Sequence, residues 1–172
     1  MSSRFYWGFF KDGAYKVTLN QHEASLAGFG GKLVEFCRKH SLNDLRQMCN
    51  GIIMADYTKP AEDYLIEKYY TKFGRMMDVG LPTCSGVRSD WRCLLSLAQS
   101  NPDAYAGDLK HMVDYGKEMR TNVHECNYTI IMDLDAGRFK ILKWDYGHFS
   151  GLIDFDITAI PDDWDMQASE MQ

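Results

Sequence analysis

The residues of this chain that could act as a self-activating nucleophile stand at its start. Ser2 follows Met1. With the Met removed, Ser2 would hold a hydroxyl beside its own α-amine, whose pKa of ~7.7–8.0 lets it serve as the base. An amidohydrolase built this way also needs an oxyanion donor and orienting polar groups. Arg4, Asn20 and His22 lie on the same predicted hairpin and could supply them. Many chains begin Met-Ser for reasons of translation alone, so Ser2, Arg4, Asn20 and His22 define a catalytic alternative and no more.

Metal and phosphate chemistry find weaker footholds. Cys37-x-x-His40 sits on a helical stripe with Cys49 further on, but a fourth zinc ligand is missing and Cys37 also fits the apolar face. His124-x-Cys126 has the same weakness. Asp133 and Asp135 would share one face of a strand and could hold Mg²⁺ or Ca²⁺, although Asp before Ala-Gly is ordinary turn chemistry. The run Ala27-Gly28-Phe29-Gly30-Gly31-Lys32 lacks the order of a phosphate loop, because Leu33 follows the lysine. It reads as a loop that needs positive φ or a close backbone approach. No pattern calls for a cofactor.

Binding chemistry is better represented. The chain has ten Met and 13% aromatic residues. Aromatics and Met fill cores, and they are also enriched at protein interfaces. Trp144, Tyr146, His148, Phe149 and Trp164 gather near the C-terminal end, with Asp162 and Asp163 beside the last of them. The connection Tyr146-Gly147-His148-Phe149 is the stretch most readily expected at the surface. Net charge is −5, unevenly placed: the segment 145–172 holds seven acidic residues and no Lys or Arg, so it carries −7 and the remainder +2. An acidic end repels phosphates, which argues against direct nucleic-acid binding, and it suits a basic partner surface or a solvated edge.

The elements that must position these groups follow from periodicity. Arg4 to Phe10 is dense in aromatics, Asp12-Gly13 signals a tight hairpin turn, and Tyr15, Val17 and Leu19 alternate with polar residues. Helical spacing then runs through Leu33, Phe36, Cys37 and His40. A start at Ser41 with Asp44 leads into Leu42, Leu45, Met48, Cys49 and Ile52. Asn50-Gly51 ends or bends that helix; further helices are predicted after Pro60, with a stop at Gly74, after a cap at Ser89 or Asp90, and from Pro102. From Asn127 the period drops to two: Tyr128, Ile130, Met132 and Leu134 share a face, the chain turns at Asp135-Ala136-Gly137, and Arg138–Trp144 returns. Leu152 to Pro161 reads as a last strand. Strands at both ends and helices between predict a single α+β domain over 1–172, with a mostly antiparallel sheet.

At 172 residues the chain is long enough for a real core, and no apolar run reaches the roughly 20 residues that span a bilayer. A basic and apolar leader is also missing from the start, so a cytoplasmic protein is expected, its five cysteines reduced.

Several of these stretches together resemble a family of small proteins from bacteriophages, large DNA viruses and some cellular genomes. Its members open Met-Gly/Ser-Thr-Arg, pass through a hairpin, and carry an Asn-His-x-Asp-Ser-Tyr-Pro stretch closing in Gly-x-Gly. Here Ser3-Arg4 stands for Thr-Arg, and Asn20, Glu23 and Gly28-Phe29-Gly30 align with the stretch. The strand and turn containing Asp133, Leu134 and Asp135 resemble the family's Ile-Asp-Leu-Asp hairpin, and Ile160-Pro161-Asp162-Asp163-Trp164 resembles its closing Leu-Pro-x-x-Trp. The resemblance covers residues 1–36 and 89–164. Gln21 stands where the family has His, and Ala24, Ser25 and Leu26 replace Ser-Tyr-Pro, so a catalytic site at that stretch in the family would be lost or altered here. The family has no established activity, so the resemblance implies a fold and a phage-like origin without a reaction. The expectation is a small phage-type accessory protein that binds a host or defence protein, as an inhibitor of the anti-defence or anti-CRISPR kind. Self-association into a homodimer stays open. Ser2-based hydrolysis is the alternative, and a structural domain without ligand the second.

Overall fold

A computed structural model describes residues 4–23, 25–73, 88–145 and 148–171. The chain opens with β1 (Phe5–Lys11) and β2 (Ala14–Asn20), antiparallel with Phe5 opposite Asn20 and Lys11 opposite Ala14. Asp12 (φ 52°) and Gly13 (φ 73°) both take the left-handed conformation, as a two-residue hairpin turn of matching twist requires. Gly8 meets a tighter demand. A Cβ there would fall 1.9 Å from the Lys16 carbonyl oxygen, so only glycine lets the two strands approach.

The other strands come from the C-terminal third: β5 (Tyr128–Asp133), β6 (Arg138–Asp145) and β7 (His148–Asp156). One five-stranded sheet results, in the order β2-β1-β5-β6-β7. Its neighbours are antiparallel except β1 and β5, which run parallel with Phe5 beside Tyr128. Parallel strands need a long crossover. Everything between β2 and β5 serves as that crossover, and the fold is α+β with helices packed on a mostly antiparallel sheet, as the ordering of elements predicts.

The crossover begins with a π-helical turn (Leu26–Gly30) running directly into α1 (Gly31–Lys39) and then α2 (Leu42–Gly51). A reciprocal capping box of Ser41 and Asp44 starts α2. The glycine run is therefore helical and needs no positive φ. Its requirement is close approach, because a Cβ on Gly30 would lie 2.8 Å from the Trp164 ring. Next come β3 (Ile53–Ala55), α3 (Asp63–Phe73) and α4 (Trp91–Leu95), the last capped by the Asp90 carboxylate. Pro102 opens a 3-10 turn (Pro102–Ala106), which gives way to β4 (His111–Val113) and α5 (Gly116–Thr121) instead of continuing as a helix. β3 and β4 pair in parallel as a second, two-stranded sheet. α6 (Trp164–Ser169) closes the described chain. The expected stop at Gly74 lies outside the described residues.

The core has two layers against the main sheet. Phe5, Trp7 and Phe9 point to one face, where Trp7 meets Phe29 and Tyr105 edge to face. Tyr6 and Val17 point to the other, where Tyr115, His124 and α5 cover β1 and β2. Cys37, Cys49 and Cys126 are buried free thiols. Burial pushes Cys126 up to about 12, which keeps it inert. Cys93 is disulfide-bonded, a correction to the expectation of reduced cysteines throughout, since spacing along a chain does not report proximity in space. Cys84 lies outside the described residues. No helix among the described residues is long and apolar enough to cross a membrane.

Candidate functional site

α5 covers the second face over β1 and β2 and stops short of β6 and β7. The rest of that face forms a concave surface of about 410 Å³. Strand alternation decides what lines it. Thr129, Ile131 and Asp133 on β5 share a face with Lys140, Leu142 and Trp144 on β6 and with Leu152 on β7. Met119 and Arg120 of α5 form one wall, and Phe10 and Tyr15 close one end with their rings 4.7 Å apart.

Three large apolar side chains here remain in water: Phe149 is 55% exposed, Leu152 51% and Tyr15 45%. Trp144 is half-buried. Its indole N–H donates to the Thr129 hydroxyl at 3.0 Å, and its ring stands edge to face with Phe149 at 6.0 Å. The tryptophan is thus held in one orientation before anything binds. A register shift between Lys143 and Trp144 places Phe149 opposite the tryptophan.

The polar groups at the floor are already engaged. Asp133, 5% exposed, accepts from Lys140 Nζ at 2.6 Å and from the Ala136 N–H at 2.9 Å. Burial pushes its pKa up, but these hydrogen bonds and the ammonium charge outweigh it, and the carboxyl lies below its ordinary range. Asp135 accepts from the Asp12 and Gly13 N–H groups, bracing one hairpin tip against the other. Neither aspartate is arranged as a metal ligand, and no cluster of metal-binding side chains occurs among the described residues. Lining of this kind covers apolar surface; it has no activated nucleophile aimed into it.

The candidate catalytic residues are not brought together. Ser2 lies outside the described residues. Arg4 Nη1 donates to the His124 carbonyl at 3.5 Å. Asn20 is fully buried, and its side chain holds the backbone of residue 22, donating to its carbonyl at 2.7 Å and accepting from its N–H at 3.2 Å. His22 Nε2 lies 2.9 Å from Ser96 Oγ. Because Asn20 pairs with Phe5, its side chain shares Phe5's face, while Arg4 turns to the opposite one.

The candidate binding residues divide. Trp144 and Phe149 meet at the β6–β7 end of the open face, His148, paired with Asp145, alternates to the opposite face, and Tyr146 lies outside the described residues. Trp164 is 6% exposed and belongs to the core, wedged against Gly30, because α6 folds back onto the π-helical turn. Asp162 pairs with Arg38 at 2.9 Å, and Asp163 accepts from Gln167, so both serve the entry to α6. Sequence reading missed Tyr15, Ile131, Leu142 and Leu152 as members of the surface. Their alternation was visible, but only the strand order shows that they share an uncovered face.

No family model, curated protein or solved structure matches this chain.

Proposed function

We propose that this protein acts by binding another protein through the open sheet face centred on Trp144, Phe149 and Leu152. The observation that carries the reading is an uncovered sheet face whose β6–β7 end sets the exposed Phe149 and Leu152 beside a pre-oriented tryptophan, with Tyr15 exposed at its far end. Clustered exposed apolar groups mark interaction sites, and Trp is the most frequent anchor of such interfaces. The absence of a free catalytic group in the described lining favours binding over turnover. The resemblance to phage and large-virus proteins points to a host or defence protein as the partner and to inhibition as the outcome. It also suggests the host cytoplasm as the place of action. The bonded Cys93 runs against a reducing compartment, and thiol titration of protein isolated from its cell decides that point.

The test pairs capture with reconstitution. A partner retained by the tagged chain is identified, purified and titrated against wild type and a Trp144→Ala, Phe149→Ser variant. Both side chains stand partly in water, so the variant keeps its fold by circular dichroism. Loss of a buried aromatic anchor costs about 2 kcal/mol or more, roughly 30-fold in Kd. Unchanged affinity would refute the reading.

A further inference from the structure

The two edges of the main sheet are unequal. At β2 the outer edge is occupied: the Tyr115 N–H donates to the Val17 carbonyl at 2.9 Å, and Lys16 Nζ reaches the carbonyls of Cys49 and Ile52. No strand pairs with the outer edge of β7 among the described residues; of its outward carbonyls, that of Asp156 accepts from the Ala159 N–H at 3.0 Å in the turn that follows and that of Asp154 from the Arg138 guanidinium at 3.4 Å.

Register shows which groups are free. The Ile157 N–H donates to the Gly137 carbonyl, so this pair is hydrogen-bonded in the β6–β7 ladder. Antiparallel pairs alternate between bonded and non-bonded. With Leu142 opposite Leu152 and Lys140 opposite Asp154, residues 151, 153 and 155 turn their backbone groups to β6. Leu152, Asp154 and Asp156 turn theirs outward. Nine residues long, β7 is an unusually extended edge to leave open.

The side chains specify what would fit. On the open face the edge presents Leu152, then Asp154 and Asp156; on the other face it presents Ile153 and the buried Phe155. Of the seven acidic residues after position 144, Asp154 pairs with Arg138 and Asp162 with Arg38. Asp145, Asp156, Asp163, Asp165 and Glu170 form no ion pair among the described residues. Of these only Asp156 lies on β7, so two such edges brought together would set Asp156 of one beside the acidic strip of the other, which disfavours a second copy.

We infer that β7 is a strand-acceptor edge: an extended basic segment of the partner adds beside it as a sixth strand, with Lys or Arg along Asp154 and Asp156 and apolar residues along Ile153. Main-chain bonds to the outward amides supply affinity, and the alternation of side chains supplies selectivity. The inference rests on the protein-binding reading above and names how the partner engages.

The test uses synthetic nine-residue peptides: one alternating valine with lysine, one alternating valine with glutamate, and the lysine peptide with a central proline. Amide hydrogen exchange is followed on the full chain. The lysine peptide is expected to bind saturably and slow exchange at Leu152 and Asp154 at least tenfold; the other two peptides should not. Leu152→Pro removes an outward N–H and leaves the β6 ladder intact, so binding should vanish. Should that variant not fold, an Asp154→Asn, Asp156→Asn variant carries the test, with binding about fivefold weaker at low salt. Equal binding of both charged peptides, no binding of the lysine peptide, binding without protection of these amides, or a dimer in which they are already protected would overturn the inference. A purified partner that depends on Trp144 and Phe149 while leaving these amides unprotected would sink the edge alone; indifference to Trp144 and Phe149 would sink the protein-binding reading itself.

Discussion

Asp133→Asn tests how the floor of the open face is held. The carboxylate is buried, takes a 2.6 Å hydrogen bond from Lys140 and a second from the Ala136 N–H. Asparagine keeps an acceptor for Ala136 but turns an amide, itself a donor, toward the ammonium. A hydrogen bond to a charged group contributes about 1.5–3 kcal/mol, and Lys140 retains some water, so a loss of about 2 kcal/mol is expected in urea unfolding at pH 7. The difference should depend on pH. The folded carboxyl titrates below its unfolded value of ~3.9, so its contribution is complete above that value and fades as pH falls through the folded pKa. The gap between wild type and variant should hold from pH 7 to about 5 and narrow progressively as pH falls below the unfolded value of ~3.9. A gap under about 0.5 kcal/mol at pH 7, within the range of an ordinary surface change, or one that persists undiminished at low pH, would refute the reasoning.

Two further substitutions probe the sheet. Gly8→Ala forces a Cβ to 1.9 Å from a backbone carbonyl on a strand fixed on both sides, and should cost about 4 kcal/mol or more by urea melt. Gly51→Ala, with nothing within 4 Å at a helix end, should instead stabilise by about 0.5 kcal/mol. Thr18 and Trp7 face each other across β1 and β2, fully buried, and the Thr18 hydroxyl and Trp7 indole N–H find no hydrogen-bond partner among the described residues. Thr18→Val should therefore stabilise by about 1 kcal/mol in thermal unfolding, whereas a loss of that size would reveal a buried water joining the two groups.

Local chemistry made much of the fold legible. Asp12-Gly13 and Asp135-Ala136-Gly137 announce their hairpins because few residues tolerate those turns, and Ser41 with Asp44 announces α2 because few pairs make a reciprocal cap. Distant contacts stayed hidden. β3 and β4 have three residues each, too few to show alternation, and pair across more than fifty positions of chain. The glycine run reads as a breaker until α6 brings Trp164 against Gly30, after which glycine is what permits the packing. The same burial removes Trp164 from the binding surface, while Trp144 and Phe149 stand beside an unpaired edge. Sequence can nominate an exposed aromatic; strand order decides which aromatic is exposed.

The most direct test of the binding account is the hydrogen-exchange footprint of the full chain bound to its purified partner. Slowed exchange confined to β6, β7 and the facing end of α5, centred on Trp144 and Leu152, is the predicted result. Protection centred instead on Arg4, Asn20 and His22, with β6 and β7 exchanging as in the free chain, would contradict it.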